Sequence, residues 1–538
     1  MSSERVSTKP LSDEFRGLTL KDVTPKLEKI WIKYPRLVQL NLLLLCAFLG
    51  QTATGYDGSM LNGMQALPQW QEYFGSPSAG KLGAMVNGVA FGVLISLTFS
   101  SQLCEKIGRR YPITIGTSII IVGSILQTAA VHYAMFTLGR FLIGIGGGLV
   151  AVAAPQLMME CAYPSHRGKL VSLYMTQWPV GYLIAAWVTY GTFKIQSSWS
   201  WRLPSLLQVV PSVIQLVLSF FAPESPRWLV YNDRTDEAID MIAKYHSNGD
   251  RNSPLVRFEV AEIQCALDQE KEQNAMRWGE FVRTPGNRRR LYILIFVGYM
   301  TQWSGNGLTS YYLPKILDSI NITEPKTQLL INALIAVFKV CCSIVSALLI
   351  DRVGRRGLIL FGTITMFSVF VIWTITSALN QEQHFENKML AYAVVAMIFL
   401  FQVGYQPVGA SAIVYVLESA PFSLRAKASM VFQFCAYTAG VFNNFVNPIA
   451  IDAIQWRYYI VYCAILAFEI VVTFFYLPET KGRGLEEIAE VFDGPAAAIT
   501  VPDEKISREL GQVRGSTESY KDGRTIDHLE VAQETKNV

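Results

Sequence analysis

The sequence predicts an all-α integral membrane protein, with twelve transmembrane helices in two six-helix bundles joined by a cytosolic helical linker. Three observations lead there. Of 538 residues, 51% are hydrophobic and only 16% charged, and the mean hydropathy is +0.28, too apolar for a soluble chain of this length. The charges gather up to about Arg36, between about Glu224 and Arg290, and after Glu479. The two apolar blocks between them each hold about six spans of roughly 20 residues. Finally, three charged motifs occur twice. Glu105-Lys-Ile-Gly-Arg-Arg110 returns as Asp351-Arg-Val-Gly-Arg-Arg356, Glu160 with Arg167 returns as Glu418 with Arg425, and Pro223-Glu-Ser-Pro226 is echoed by Pro478-Glu-Thr480. Measured from Glu105, Glu160 and Glu224, the offsets are 246, 258 and 255 residues, as two fused copies of one bundle would give.

Residues 1–37 form a polar N-terminal segment of mixed charge, without a short apolar stretch ending in a cleavage site, so the first helix is expected to direct insertion itself. The first bundle, 38–222, holds spans near 38–61, 82–103, 111–131, 136–157, 171–192 and 202–222, bounded by charges, Pro and Gly. The linker, 223–290, carries amphipathic patterns such as Thr235-Asp-Glu-Ala-Ile-Asp240, with a break near Asn252-Ser-Pro254, and reads as short cytosolic helices. The second bundle, 291–478, holds spans near 291–313, 328–350, 358–379, 390–415, 428–448 and 458–477. The tail, 479–538, turns polar and poor in aliphatics after about Asp493, a composition that predicts disorder.

Arg109-Arg110, Arg167 with Lys169, Arg352 with Arg355-Arg356, Arg425 with Lys427, and Arg288 to Arg290 all fall after even-numbered spans or before span 7. The positive-inside rule therefore puts those ends and both termini in the cytosol. The expected location is the plasma membrane. A net charge of +4 without a basic groove excludes nucleic acid as partner. The eight cysteines fall within spans or on the cytosolic side, so no external disulfide is expected. The adjacent Cys341-Cys342 lacks nearby His or Asp and reads as apolar packing rather than a metal site. Asn321-Ile-Thr323 is a glycosylation sequon in the loop between spans 7 and 8. Nucleophile–base constellations, metal-ligand spacings and phosphate loops are lacking, which argues against an enzyme and against any cofactor.

In each Gly-Arg-Arg turn, Gly supplies the permissive backbone and Arg a planar fork able to grip a carboxylate. Glu105, Glu160, Asp351 and Glu418 are the nearby acids, and Arg109, Arg167, Arg355 and Arg425 the matching bases. These charges are either a network at the cytosolic ends or solvated topology signals. Asp57, within Gly55-Tyr-Asp57 of span 1, is more unusual, because a carboxylate inside a span costs about 2.5–3.5 kcal/mol on insertion scales. Arg140 in span 4 is the candidate partner. Burial disfavours the ionised acid while a guanidinium favours it, so the pair either orients helix 1 or carries a proton.

Ser101 to Arg110, Arg140 with Gly144 to Gly148, Pro155 to Gly168, Pro223-Glu-Ser-Pro-Arg-Trp-Leu229, Asp351 to Arg356, Glu418 to Arg425 and Pro478-Glu-Thr-Lys-Gly482, in this order, resemble the sugar porter family of the major facilitator superfamily over about residues 38–490. The resemblance implies that the Gly-Arg-Arg charges close the inner side of a central cavity. An acid at the Asp57 position resembles the proton-coupled members, with the proton as coupling ion. Ser101, Glu105 and Leu157 depart from the commonest motif residues.

Aligned to hexose carriers, the helix 5 Gln becomes Met175, the helix 7 pair becomes Thr301-Gln302 and its Asn becomes Gly307 beside Asn306, the helix 10 Trp becomes Ile413, and the helix 11 Gln becomes Ala436. Helical spacing offers replacements: Gln402 and Gln406 share a face of helix 10 with Ile413, Asn443 and Asn447 share one of helix 11 with Ala436, and Trp178 and Tyr182 share one of helix 5 with Met175. These amides lie nearer the outside, which predicts a longer pocket in which Trp178 packs on a sugar face. Alternatively they bond helix to helix. Gln302-Trp-Ser-Gly-Asn-Gly307 with Tyr311-Tyr312, and Trp201-Arg-Leu-Pro-Ser-Leu-Leu-Gln208, resemble the fungal lactose permease and cellodextrin transporter branch. The expectation is proton-coupled import of a disaccharide or related glycoside. A carrier of a non-sugar polyol, cyclic acid or secondary metabolite, and a non-transporting sugar sensor, are the alternatives.

Overall fold

The computed structural model describes residues 24–25, 31–167, 170, 173–174, 176–273, 279–420, 424–481 and 492. Met175, most of the N-terminal segment and the tail after Asp493 lie outside the described residues, as do the side chains of Asp351 and Arg425.

Twelve helices form the two bundles. They are α1 (Pro35–Gln65), α2 (Ala79–Ile107), α3 (Arg110–Thr128), α4 (Tyr133–Cys161), α5 (Gln177–Thr192), α6 (Trp199–Phe221), α7 (Pro285–Trp303), α8 (Pro325–Val353), α9 (Arg355–Glu382), α10 (Lys388–Ser419), α11 (Arg425–Ile454) and α12 (Tyr458–Tyr476). By length and composition alone, nine stretches among the described residues qualify as spans, and one of them, Lys427–Tyr476, contains both α11 and α12. Gln455, at φ 49°, separates those two. α5 falls short because it is 16 residues long, and α7 because Arg288 to Arg290 occupy its start. Helices of about 29 to 32 residues, such as α2, α8 and α10, exceed the hydrocarbon thickness of about 30 Å at ~1.5 Å per residue and cross it tilted. Leu348, Phe468 and Phe475 are more than half exposed, as lipid-facing side chains must be.

The span expected at 291–313 is not one helix. α7 stops at Trp303, Gly305 adopts φ 99°, and the chain resumes as Asn306–Tyr311 and Leu313–Ser319. A Cβ on Gly305 would lie 2.6 Å from the Phe370 ring, so glycine both permits the left-handed turn and makes room for it. Most other helices run a few residues past the expected ends, whereas α3 stops at Thr128, α5 begins at Gln177 and α12 stops at Tyr476.

The linker forms Pro226–Tyr231, Thr235–His246, Pro254–Gln273 and Glu280–Arg283. Its Met241, Ile242, Val256 and Val260 pack in one cluster with Leu37, Leu40 and Leu44 of α1. This defines a basic face of the molecule, carrying the Gly-Arg-Arg turns and the linker, and an opposite face.

Hydrogen bonds between the two sets of six helices gather towards the opposite face. Asn62 near the end of α1 donates to Asn332 near the start of α8 over 3.1 Å, and Tyr182 of α5 donates to the same oxygen over 3.1 Å. Asn87 of α2 donates to the Val441 carbonyl over 3.0 Å and accepts from Asn444 of α11 over 3.2 Å. Gln65 donates to the Tyr311 carbonyl over 2.6 Å. The opposite face is therefore shut.

Candidate functional site

Asp57 and Arg140 meet inside the first bundle, both buried. Arg140 donates from Nη1 to Oδ1 at 3.2 Å and from Nη2 to Oδ2 at 3.0 Å, and its Nε donates to the Met85 carbonyl at 2.7 Å. Gln208 donates to Asp57 Oδ1 over 3.2 Å. Three helices thus meet at one carboxylate, α1 through Asp57, α4 through Arg140 and α6 through Gln208, while α2 holds the guanidinium through the Met85 carbonyl. The bidentate fork is the strongest geometry a guanidinium can offer. On α1, Gly55 lets α5 pack closely, since a Cβ there would lie 2.0 Å from the Trp178 carbonyl oxygen. Sequence reasoning quoted Gln208 only within a motif and gave it no role.

Between the bundles, the Trp178 and Tyr182 rings lie 5.5 Å apart. The Tyr182 hydroxyl accepts from Asn62 over 3.1 Å and donates to Asn332, so it belongs to the contact that shuts the opposite face. Above the Tyr182 ring, 4.0 Å from its centroid, stands the ammonium of Lys339 of α8, a residue the sequence analysis overlooked.

The amides divide. Asn443 donates to the Gln302 carbonyl over 2.9 Å and accepts from the Tyr462 hydroxyl over 2.9 Å. The Asn447 oxygen accepts from Tyr458 and Tyr462 over 2.8 and 2.7 Å. Their carbonyl oxygens therefore join α11 to α12, as the helix-bonding alternative anticipates, while both amide nitrogens point at Gly307, where a Cβ would lie 3.0 Å from each. Gln402 is buried and donates to Thr309 over 3.4 Å, and Gln406 donates to Gln402 over 3.4 Å. Asn306 accepts from Ser310 over 2.9 Å. Gln302 and Gln406 are only partly buried.

On the basic face the repeat becomes geometry. Arg109 Nε lies 3.1 Å from Glu160 Oε2, and Arg355 Nη2 lies 2.8 Å from Glu418 Oε1, each pair within its own half. The hubs of both turns are Glu224 and Glu479, which the sequence reading saw as motifs without assigning them a task. Glu224 accepts from the backbone N–H of Arg109 at 2.9 Å and of Ser225 at 2.8 Å. Glu479 accepts from Arg355 at 3.1 Å and from Thr480 at 3.0 Å. The hydroxyls of Ser225 and Thr480 donate to Glu160 and Glu418 in turn. Gly108 and Gly354, at φ 93° and 99°, turn under these carboxylates. Burial raises the Glu224 carboxyl above the usual carboxylate range, opposed by the N–H groups of Ser225, Arg109 and Arg110. Arg167 does not pair with Glu160; it reaches Glu259 of the linker at 3.6 Å, and Glu259 also meets His246 at 3.0 Å. The Glu105 side chain is exposed, and its carbonyl accepts from Trp228 over 2.8 Å. Asn321 is exposed in the turn after Leu313–Ser319, towards the opposite face. Among the described residues no group of three His, Cys, Asp or Glu is placed to hold a metal ion.

The profile of the family described as "Sugar (and other) transporter" matches residues 43–492. The chain belongs to this family. It is 31% identical over 437 residues to an MFS-type transporter, oryC, of Aspergillus oryzae, covering 79% of each chain. It is 28% identical over 480 residues to a high-affinity glucose transporter of Kluyveromyces lactis, covering 86% of each. Among solved structures, the inward-open xylose transporter XylE from E. coli superposes with a TM-score of 0.69 at 21% identity, over 84% of this chain and all of that one. This sugar transporter family member thus has the major facilitator fold, and it crosses the membrane many times.

Proposed function

We propose that the protein is a proton-coupled carrier that imports a disaccharide or related glycoside across the plasma membrane by alternating access, with the basic face and both termini in the cytosol. The observation that carries this reading is the buried Asp57–Arg140 pair, which joins α1 to α4 and is bonded from two other helices, α2 and α6. A carboxylate in a span ordinarily has a partner and a task. Breaking a buried pair costs about 3–5 kcal/mol, so protonation of Asp57 and rearrangement of the helices around it must occur together. That is the linkage a symporter needs. One solved neighbour is described as a proton:xylose symporter, and several relatives as glucose transporters.

The units 38–222 and 291–478 are the moving bodies, and the hydrogen bonds between them at the opposite face support an inward-facing reading of this arrangement. The charges Glu105, Arg109, Glu160 and Arg167, with Asp351, Arg355, Glu418 and Arg425, bring the basic ends together in the outward-facing state. Trp178, Gln302, Asn306, Gln402 and Gln406 contact the sugar, with Tyr182, Asn443 and Asn447 shaping the outer end of the pocket. Asn321 lies on the extracellular side and accepts a glycan. Uptake of labelled lactose, cellobiose and glucose by the reconstituted protein at two external pH values tests this. Accumulation of a disaccharide that rises at acidic external pH supports it. Uptake indifferent to the proton gradient overturns the coupling, and glucose competing as well as either disaccharide overturns the long pocket.

A further inference from the structure

Lys339 stands midway along α8 and is fully buried. Its ammonium donates to Ser310 over 2.9 Å and lies 4.0 Å from the Tyr182 centroid and 5.7 Å from that of Trp178. Ser310 passes the contact on, donating to Asn306 over 2.9 Å. Among the described residues no carboxylate pairs with Lys339. Asp57 is committed to Arg140 and Gln208, and Glu469 of α12 accepts from Ser304. A buried cation is normally held by an anion, and a hydroxyl with two aromatic faces supplies only part of what water gave it. Inside a membrane protein such a charge marks a functional site. Its neighbours Trp178, Tyr182 and Asn306 are the side chains that the sequence analysis assigned to substrate on independent grounds.

Asn332 and Lys339 share one face of α8, two turns apart. Asn332 holds the contact with Asn62 and Tyr182 that shuts the opposite face. Opening that contact would part α8 from α1 and α5 two turns from Lys339. When it closes, the charge is sealed in together with whatever has reached it.

We propose that Lys339 is the counter-charge for a carboxylate on the transported molecule, so that the substrate is a sugar acid: a hydroxylated ring or pair of rings bearing one carboxylate. The carboxylate takes the place beside Ser310, and the ring packs on Trp178 within reach of Gln302 and Gln406. This rests on the carrier reading above and narrows its substrate. Closing on a neutral sugar leaves the ammonium buried without an anion, whereas closing on a sugar acid neutralises it, which gives the site its discrimination.

The test is uptake and competition in proteoliposomes with galacturonate, gluconate and lactobionate against glucose, lactose and cellobiose, for the parent protein, Lys339→Gln and Lys339→Arg. At least one acid is expected to be carried at a half-saturating concentration about tenfold below that of its neutral counterpart. Lys339→Gln abolishes that preference and changes neutral-sugar uptake far less, while Lys339→Arg retains it. Neutral disaccharides carried with no competition from any acid overturn the proposal and leave the carrier reading standing. Nothing carried at all removes both. Equal loss of acid and neutral uptake in Lys339→Gln makes the lysine structural and also overturns it. If that variant fails to fold, the parent's acid-versus-neutral preference and its weakening in Ser310→Ala decide.

Discussion

Gln208 donates its side-chain amide to Asp57 Oδ1 over 3.2 Å, on the same oxygen that Arg140 Nη1 holds. A carboxylate with three donors is fixed in place, and any step that removes its charge loosens α1, α4 and α6 together. Asp57→Asn keeps the size and removes the acidic group. Uphill accumulation should vanish while downhill exchange of sugar across the liposome survives. Undiminished uphill uptake by this variant at acidic external pH would show that the coupling proton binds elsewhere.

Gly108 and Gly354 occupy matching turns at φ 93° and 99°, and a Cβ there would lie 2.3 Å from Glu224 Oε2 and 2.8 Å from Glu479 Oε2. Alanine at either position adds backbone strain of about 1–3 kcal/mol and displaces the carboxylate. Both variants should unfold at lower temperature in detergent, Gly108→Ala by more. A Tm equal to the parent's in both would mean that the turns are not held as described.

The Glu224 carboxyl, raised by burial, binds its proton more tightly in the folded than in the unfolded chain. Its contribution to stability is therefore fully present below the unfolded value and declines as pH rises towards the folded one. Glu224→Gln removes that titration. The Tm advantage of the parent over the variant should shrink as pH rises from about 4 to about 6. An advantage that widens over the same interval contradicts the burial argument.

The carbonyl of Asn443 is taken by Tyr462 and its nitrogen by the Gln302 backbone. Asn443→Ala should cost about 1–3 kcal/mol in stability, because it leaves buried groups unpaired. Gln406, partly buried and bonded only weakly to Gln402, is the better probe of substrate contact. Gln406→Ala should keep the parent's Tm and reduce two-ring uptake more than glucose uptake. Equal reductions would remove Gln406 from the site.

Residues whose physics is local were legible in the chain. The Gly-Arg-Arg turns and their recurring acids are written in short motifs, and Asp57 and Arg140 each stand out as a single charge within an apolar stretch, although they lie 83 residues apart. The break in α7 was not, because Gly305 is small enough to sit in a helix and only the Phe370 ring on another helix decides otherwise. Nor was the pairing of Arg167 with Glu259, since a linker helix docks by its apolar face and the sequence does not say where. Lys339 was legible and passed over: one lysine in the apolar stretch 328–350 is as anomalous as Asp57.

Glu224 and Glu479 each join the end of a half's sixth helix to the turn between its second and third, through backbone N–H groups rather than flexible side chains. Each half is thereby stapled at the basic face and resists shearing among its own helices. Sliding the sixth helix of either half along its second and third would first have to break these backbone hydrogen bonds.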